Sequence, residues 1–234
     1  MHILIVIPTY NEIDNIEKLT LEIQRCLPQA DILIVDDNSP DGTGQLAGKL
    51  AKRNSQISVL NRPAKLGLGS AYVQGFRYAL AHNYDAVFTM DADLSHDPSY
   101  FGEFLAELST HALVLGSRYV RGGGITRWGI WRRCLSYGAN FYARTILGLS
   151  YRDFTGGFKC YRRDALEALG LNSIISEGYV FQIETTYRVY RKGLAIKEIP
   201  IVFRERHRGA SKISRRICFE AIWKIPLLRL RLRV

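Results

Sequence analysis

The segment "VFTMDADLSHDP", residues 87–98, is an apolar run that ends in two aspartates, Asp91 and Asp93, with one residue between them. Such a run is typical of a strand that is buried on both faces of a parallel sheet. Carboxylates this close repel each other unless a cation lies between them. Mg²⁺ and Mn²⁺ accept a few protein oxygens and leave other coordination positions for phosphates. The segment therefore predicts a divalent-metal site at the end of a buried strand.

Strands and helices alternate on either side of this segment. Apolar runs predict strands at "ILIVI" (3–7), "DILIVDD" (31–37), "ISVLNR" (57–62), "DAVFTMDAD" (85–93) and "ALVLGSR" (112–118). Apolar residues at helical spacing predict a helix after each of the first three strands. The alternation predicts an α/β fold of one domain, with a Rossmann-like, mostly parallel sheet flanked by helices.

The second half of the chain lacks the regular alternation of strands and helices. A glycine-rich loop, "RGGGITRWG" (121–129), precedes a predicted helix over 131–147 and a predicted loop, "SYRDFTGGFKCYR" (150–162). A helix over 178–193 and an extended segment over 195–206 follow. We interpret this half as an acceptor-side lobe built onto the same sheet. The expected division is a domain over 1–217, with halves 1–120 and 121–217, and a basic amphipathic tail over 218–234.

Composition narrows the classes of protein that are possible. Hydrophobic residues make up 47% of the 234 residues, which is enough for a substantial core. The sequence contains no run of roughly 18 apolar residues, so it predicts no membrane-spanning helix. The strand pattern at its start does not resemble a signal peptide. Four scattered cysteines favour reduced thiols in a cytosolic setting and argue against a zinc site.

The formal net charge of +10 is concentrated near the end of the chain. Residues 204–234 carry ten Lys/Arg and two Glu. A local excess of positive charge predicts an anionic partner: phospholipid, a phosphorylated substrate or nucleic acid.

Polar residues follow three of the predicted strands, at "PTYNE" (8–12), "VDDNS" (35–39) and "MDADLS" (90–95). The carboxyl ends of parallel strands meet at one edge of the sheet, where ligands bind. Any one of these acids could instead cap a helix or form a turn. A dinucleotide site would need GxGxxG after the first strand, where residues 8–12 contain no glycine. The glycines of "KLGLGSAYVQG" (65–75) match that pattern poorly and predict a tight helix entry instead.

Eight motifs occur in order between about residue 4 and residue 213: "IVIPTYNE", "IVDDNSPDGT", "MDADLSHDP", "GSRYVRGGG", "RRCLSYGAN", "DFTGGFKCYRR", "SEGYVFQIE" and "RERHRGASK". As an ordered set they resemble the polyprenyl-phosphate (dolichol-phosphate) mannose synthases of glycosyltransferase family 2, which have a GT-A fold. The resemblance implies a metal-dependent, inverting transfer of mannose from GDP-mannose to a polyprenyl monophosphate. It implies Mg²⁺ or Mn²⁺ as the cofactor and a peripheral location at the cytoplasmic face of the membrane.

The resemblance also implies roles for individual residues. The guanosine would be held by Pro8, Tyr10, Glu12, Val35 and Asp37. The diphosphate and the metal would be held by Asp91, Ala92 and Asp93, with Ser95 as a further metal ligand. Some relatives have Gln at the position of Ser95, so the shorter serine would reach the metal through water. Arg118, Arg204 and Lys212 would neutralise the departing diphosphate and act in catalysis with Asp93. Arg132 and Ser136 would bind the acceptor phosphate.

The implied chemistry needs no general base. A phosphate monoester has a second pKa of about 6, so the attacking oxygen is already ionised at neutral pH. Catalysis would then rest on positioning and on neutralising charge. We interpret His96 as a loop residue, and we expect Asp153 and Thr155 to shape the acceptor pocket.

The end of the chain, "WKIPLLRLRLRV" (223–234), suits a membrane interface because basic and apolar residues alternate there. Trp128 and Trp131, next to three arginines, are expected to anchor the chain at the same interface. A frayed, solvated tail is the plainer alternative. A membrane-embedded partner subunit is a further expectation.

Two rival functions stay open. The first is the same reaction with UDP-glucose as donor, which the sequence separates poorly from the mannose reaction. A processive polysaccharide synthase is less favoured because its QxxRW signature is absent. The second rival is a basic nucleic-acid-binding protein, which would leave the acidic strand ends without a purpose, since carboxylates repel a phosphate backbone. We therefore expect no nucleic-acid partner.

Overall fold

The computed structural model describes residues 1–174, 176–204 and 215–232, with side chains throughout except at 215–221. The strands are β1 (Ile3–Thr9), β2 (Asp31–Asp36), β3 (Ile57–Asn61), β4 (Ala86–Thr89), β5 (Leu113–Ser117), β6 (Gly124–Ile125), β7 (Lys159–Arg162), β8 (Ile196–Pro200) and β9 (Val202–Phe203). The helices are α1 (Ile16–Cys26), α2 (Thr43–Arg53), α3 (Leu68–Ala81), α4 (Phe101–Leu108), α5 (Ile130–Leu147), α6 (Arg163–Ala168), α7 (Gly178–Arg191) and α8 (Arg215–Arg231).

The central sheet has the strand order β3-β2-β1-β4-β7-β5-β8. Strands β1 to β4 are mutually parallel, as the alternation of the first half predicts. Alternate residues of β1 face opposite sides of the sheet: Ile5 packs in the core cluster that includes α1 and α4, and Val6 packs in the cluster that includes α3. The continuous apolar strands are explained by this burial on both faces.

The second half completes the same sheet. Strand β7 lies antiparallel between β4 and β5, and β8 lies parallel to β5. Residues 150–162 were expected to be a loop, and this was wrong for Lys159–Arg162, which form β7. The strand was missed because its four residues owe their conformation to two partners that are distant in sequence. The fold is therefore α/β with a mostly parallel sheet.

Helices α5, α7 and α8 form a separate apolar cluster in the second half of the chain. Helix α8 contributes Ile225, which is 1% exposed, and Leu228, which is 4% exposed. Its outer face exposes Trp223, Leu227 and Leu230, and Ile222 is half-exposed. The expected tail is thus, over its described part, a helix docked by one apolar face. Within the described ranges, no helix combines the length and apolar character that crossing a bilayer requires.

Candidate active site

A cavity of about 230 Å³ lies at the carboxyl ends of the parallel strands. It is lined by Pro8, Thr9, Tyr10, Glu12, Asp37, Lys65, Gly67, Leu68, Ala71, Asp91, Ala92, Asp93, Gly178 and Tyr179. The polar ends of β1, β2 and β4 therefore meet at one place, as the strand pattern indicates. We call this the donor cavity, after the role that the sequence resemblance predicts for its residues.

The loop after β4 presents the two aspartates to the donor cavity. Asp93 is 5% exposed, and its Oδ1 accepts a hydrogen bond of 3.1 Å from the backbone N–H of Ser95. Asp91 Oδ1 lies 3.4 Å from the hydroxyl of Tyr72, which donates to it. Burial, followed by the charge of Asp91, raises the pKa of Tyr72 well above its usual range. The tyrosine is therefore a neutral donor that holds the Asp91 carboxylate in place.

His96 is buried beneath the same loop. Its ring stacks on Phe158 at a centroid distance of 5.0 Å. The backbone N–H of Asp91 donates to Nδ1 at 3.1 Å, so Nδ1 is the unprotonated nitrogen. Nε2 lies 4.0 Å from Asp91 Oδ2. Burial lowers the pKa of His96, which favours the neutral ring at pH 7. The residue fixes the conformation of the aspartate loop, a role that its place in the sequence did not reveal.

The residues around Asp91 and Asp93 fit a hard divalent cation. Their carboxylates supply oxygen ligands at the cavity wall. The fully buried hydroxyl of Ser95 has no hydrogen-bond partner among the described residues, so it is an oxygen whose bonding is not yet satisfied. Across the described ranges, no cluster of three or more His, Cys, Asp or Glu side chains forms a preformed metal cage. Mg²⁺ is usually bound by one or two carboxylates together with waters and substrate phosphates, so the two aspartates are enough protein ligands for such an ion.

Asp37 lies at the wall of the donor cavity, but its carboxylate already has several partners. Oδ1 accepts from Arg62 Nη1 at 2.6 Å, and Oδ2 accepts from the backbone N–H groups of Leu66 and Gly67 at 3.0 and 3.1 Å. The Asp37–Arg62 pair thus fixes the 62–67 loop against β2. Val35 is fully buried in the core and does not line the cavity. Its side chain packs under the site.

Lys65 and Tyr10 form the outer edge of the donor cavity. The ammonium of Lys65 lies 3.9 Å from the ring centroid of Tyr10, within the range of a cation–π contact. Glu12 accepts from Asn15 Nδ2 at 2.8 Å, and its backbone N–H donates to Thr43 Oγ1 at 2.9 Å. These contacts hold the "PTYNE" segment in one conformation.

Arg118 directly follows β5. Its Nε and Nη2 donate to the two carboxylate oxygens of Asp153 at 2.7 Å each, and Nη2 also donates to Thr155 Oγ1 at 2.8 Å. Both members of the ion pair are buried. The Arg118 charge holds the pKa of Asp153 below its usual value despite burial. Asp153 and Thr155 therefore fix the orientation of the Arg118 guanidinium.

A second cavity, of about 440 Å³, lies between α5, α7 and α8. It is lined by Arg118, Trp128, Trp131, Cys134, Leu135, Ser136, Gly138, Ala139, Tyr142, Thr155, Tyr179, Ile183, Ile222 and Ile225. Most of these side chains are apolar, and the polar ones cluster around Arg118, Ser136 and Thr155. We call it the apolar cavity.

The two residues expected to bind the acceptor phosphate lie beside this cavity. Ser136 lines it and accepts a hydrogen bond of 2.8 Å from the hydroxyl of Tyr119. The Arg132 guanidinium carbon lies 4.0 Å from the ring centroid of Trp128, and that of Arg118 lies 5.6 Å from the same centroid. The Trp128 indole therefore has the guanidinium groups of both Arg118 and Arg132 within about 6 Å, the range of cation–π contacts.

The two tryptophans expected at the membrane interface differ in burial. Trp131 is 80% exposed, as expected of an anchor. Trp128 is only 7% exposed and packs against Phe203 at 5.3 Å, so the expectation was wrong for it. The sequence pattern could not separate them, because Trp128 precedes α5 and folds back under Arg132.

Two cations were expected near the diphosphate, and the structure does not show either of them lining the donor cavity. Arg204 pairs with Asp97 at 2.8 Å, is 64% exposed, and does not line the cavity. Its backbone N–H nevertheless donates to the carbonyl of Ser95 at 3.2 Å, which ties it to the aspartate loop. Lys212 lies outside the described residues.

Three residues that sequence reasoning missed belong to the site: Arg62, Lys65 and Tyr179. Arg62 and Lys65 follow β3 in a segment without a distinctive pattern. Tyr179 lines both the donor cavity and the apolar cavity. The "GY" at the start of a helix was the one available signal, because Gly178 has a φ of +56° and turns the chain toward the site.

Comparison with known proteins places this arrangement in a class. The model of the family described as glycosyl transferase family 2 matches residues 4–170. The undecaprenyl-phosphate mannosyltransferase of Micrococcus luteus is 43% identical over 222 residues, which are 95% of this chain and 91% of that protein. The polyprenol monophosphomannose synthase of Mycolicibacterium smegmatis is 43% identical over 225 residues, covering 95% and 84%.

A solved structure shares the fold. The mannosyltransferase PcManGT from Pyrobaculum calidifontis, in complex with GDP-Man and Mn²⁺, superimposes with a TM-score of 0.59 and 19% identity, covering 89% of this chain and 58% of that one.

The mostly parallel sheet, with acidic strand ends at a cavity, has the GT-A type of fold and defines a glycosyltransferase. This chain belongs to glycosyl transferase family 2.

Proposed function

We propose that the protein transfers mannose from GDP-mannose to a polyprenyl monophosphate, with inversion at the anomeric carbon. The observation that carries the proposal is the shared wall at Tyr179, which borders a polar cavity with two aspartates and an apolar cavity lined in part by Arg118. A nucleotide sugar and a lipid phosphate can thus approach one another from opposite sides. Similarity to two enzymes named for mannose transfer to a polyprenyl phosphate supports the choice of sugar and acceptor.

The donor cavity would hold the nucleotide. Pro8, Tyr10 and Glu12 would contact the guanosine, and Asp37 would act mainly by fixing the loop that covers it. Asp91, Ala92 and Asp93 would hold the diphosphate and a bound Mg²⁺ or Mn²⁺, with Ser95 as an additional oxygen. The bound metal would neutralise charge on the departing diphosphate. Arg118, Arg204 and Lys212 are further candidates for that role.

The apolar cavity would hold the first isoprene units of the acceptor. Arg118, Arg132 and Ser136 would orient its phosphate toward the donor. A phosphate oxygen attacks the anomeric carbon while the bond to the diphosphate breaks, and GDP leaves with the bonding electrons. No protein base takes part, since the attacking oxygen carries no proton at neutral pH. His96 is buried, and its Nδ1 already accepts from the backbone N–H of Asp91, which agrees with a mechanism that uses no protein base.

The outer face of α8 and the exposed Trp131 would rest on the membrane surface, where the acceptor lies. Trp223 and Trp131 are each 80% exposed, and Arg231 is exposed in the last turn of the helix that carries Trp223. Exposed tryptophan and leucine side chains next to basic residues bind the boundary between head groups and acyl chains. A peripheral position at the cytoplasmic face, with or without a membrane-embedded partner, is part of the same proposal.

A labelled-donor assay tests the function. The protein is incubated with Mg²⁺ or Mn²⁺, a short polyprenyl phosphate, and radiolabelled GDP-mannose or UDP-glucose. We expect label in the lipid fraction from GDP-mannose only. Label from UDP-glucose instead would support the glucosyltransferase. No lipid label from either donor, together with tight and salt-sensitive binding of DNA or RNA, would support the nucleic-acid-binding alternative.

A further inference from the structure

Glu177 connects the starts of two helices that are far apart in sequence. It is the residue before α7, and its side chain reaches α3. The backbone N–H groups of Gly69 and Ser70 donate to its Oε2 and Oε1 at 2.8 and 3.2 Å. The first N–H groups of a helix lack partners within it and favour a negative charge. Gly67, at the N-cap of α3, has no side chain to supply one, so Glu177 is the cap.

The contact demands a close approach of the two segments. Gly67 has a φ of +102°, and a Cβ at this residue would lie 2.6 Å from Glu177 Oε2. A Cβ at Gly69 would lie 2.6 Å from the carbonyl oxygen of Ser176. Larger side chains at either position would push the 176–179 segment away. The glycines of "GLG" (67–69) thus make room for the contact with Glu177.

The cap is continuous with the donor cavity. Arg62 donates from Nη1 to Asp37 at 2.6 Å and to the carbonyl of Gly67 at 3.1 Å, and from Nη2 to Ser70 Oγ at 2.6 Å. The loop before α3 is therefore held by Asp37 and Arg62 on one side and by Glu177 on the other. Both faces of this loop are fixed by charged groups.

We infer that Glu177 is a positioning residue that fixes Tyr179, the wall shared by the donor cavity and the apolar cavity. Only Gly178 separates the two residues, and it also lines the donor cavity. With the wall fixed, the two cavities face each other and bulk water is kept from the sugar. This inference rests on the proposed function, since it assigns the wall a task in the same reaction.

Loss of the wall has a specific chemical consequence. Water entering the site would attack the anomeric carbon in place of the acceptor phosphate. The bond from that carbon to the diphosphate breaks, GDP leaves with the electron pair, and the attacking water gives a proton to solvent. Free mannose would then form at the expense of lipid-linked mannose. Exclusion of water from closed active sites normally suppresses this side reaction.

The test measures how the donor divides between the two products. Free and lipid-linked label from GDP-mannose are quantified for the wild type, Glu177→Ala, Glu177→Gln and Gly69→Ala. We expect the ratio of free to lipid-linked mannose to rise about tenfold in Glu177→Ala, within the range that misplacement of a reacting group produces. Glu177→Gln keeps one acceptor oxygen and should lie in between. Gly69→Ala should raise the ratio with Glu177 intact. Glu103→Ala, at an exposed glutamate of α4, is the matched control.

An unchanged ratio in Glu177→Ala, with transfer falling only in step with thermal stability, would overturn the inference and leave Glu177 as a helix cap. If Glu177→Ala does not fold, Gly69→Ala decides, and an unchanged ratio there overturns it equally. A wild type that forms neither product from GDP-mannose would instead overturn the proposed function, and the inference would fall with it.

Discussion

Arg118 and Asp153 form a buried ion pair in which both carboxylate oxygens accept, with Nε–Oδ2 and Nη2–Oδ1 distances of 2.7 Å. The backbone N–H of Arg118 adds a third bond to Oδ2 at 2.9 Å. Asp153 is held in turn by Glu198, whose Oε1 accepts from its backbone N–H at 2.9 Å. The orientation of Arg118 is therefore set by β8 as well as by its own strand.

Removing one partner of this pair should be costly. Asp153→Asn leaves the Arg118 charge buried without its counter-charge, and we expect the free energy of unfolding to fall by about 3 kcal/mol. Urea unfolding followed by circular dichroism measures the change. Transfer should be lost as well, because Arg118 would no longer be oriented.

The double variant Arg118→Met/Asp153→Leu separates stability from function. It removes both charges, so we expect stability to recover substantially while transfer stays lost. Recovery of transfer together with stability would show that Arg118 has no part in the reaction.

The buried ammonium of Lys159 should make stability depend on pH. Its Nζ donates to the carbonyl of Gln182 at 2.6 Å and to Thr186 Oγ1 at 3.0 Å. Burial lowers the pKa of Lys159 from 10.5 to about 7. Between these values the unfolded chain binds more protons than the folded one, so stability should rise with pH. We expect a gain of about 2 kcal/mol from pH 7 to pH 9.

Lys159→Met is the matched variant for this prediction, because it keeps the length of the side chain without the charge. The difference in unfolding free energy between wild type and variant should change over pH 7–9 and level off below pH 7. The range stops at pH 9 because burial raises the pKa values of Cys160 and Tyr161, which act in the opposite direction at higher pH. A constant difference across the range would show that the lysine does not titrate there.

Much of the fold could be predicted from the sequence because the strands of the first half are buried on both faces. Apolar runs such as Ile3–Ile7 indicate strands that are buried on both faces, and their alternation with helices indicates a parallel sheet. Strand β7 could not be predicted in this way. It contains the buried Lys159, and its pairing with β4 and β5 depends on long-range contacts that local patterns do not carry.

Some residues of the site could likewise be predicted from local sequence, and others depend on long-range contacts. Asp91 and Asp93 stand at a strand end, where topology alone brings them to the cavity edge. Tyr179 was not foreseen, because it reaches the cavities through the left-handed Gly178 and the contact of Glu177 with a helix 108 residues earlier. Its position follows from tertiary packing. The role of Asp37 in fixing a loop was likewise hidden, since its partner Arg62 follows the neighbouring strand β3, 25 residues later in the sequence.

Two residues of α8 that are two positions apart should contribute differently, one to membrane binding and the other to the stability of the fold. Trp223 is 80% exposed and Ile225 is 1% exposed. We expect Trp223→Ala to weaken binding to phosphatidylglycerol vesicles several-fold with no loss of stability. Ile225→Ala should lower the unfolding free energy by about 2–4 kcal/mol, as for other large-to-small changes in a core. Vesicle sedimentation and urea unfolding measure the two effects.

These point variants are sharper than removal of the helix. Truncation after about Phe219 should weaken vesicle association, but it also removes Ile222 and Ile225 from the apolar cavity. Equal vesicle binding by wild type and Trp223→Ala would mean that the exposed face of α8 does not meet the membrane.

The most direct measurement is the binding of Mn²⁺, followed by electron paramagnetic resonance, with and without GDP. In the wild type, GDP should tighten Mn²⁺ binding, because the diphosphate and the carboxylates of Asp91 and Asp93 share one ion. In Asp93→Asn this tightening should be lost and transfer abolished, while the circular dichroism spectrum stays as in the wild type. The control variant Glu103→Ala should keep the Mn²⁺ binding and the transfer activity of the wild type. Equal GDP-dependent Mn²⁺ binding in wild type and Asp93→Asn would contradict a metal site at the end of β4.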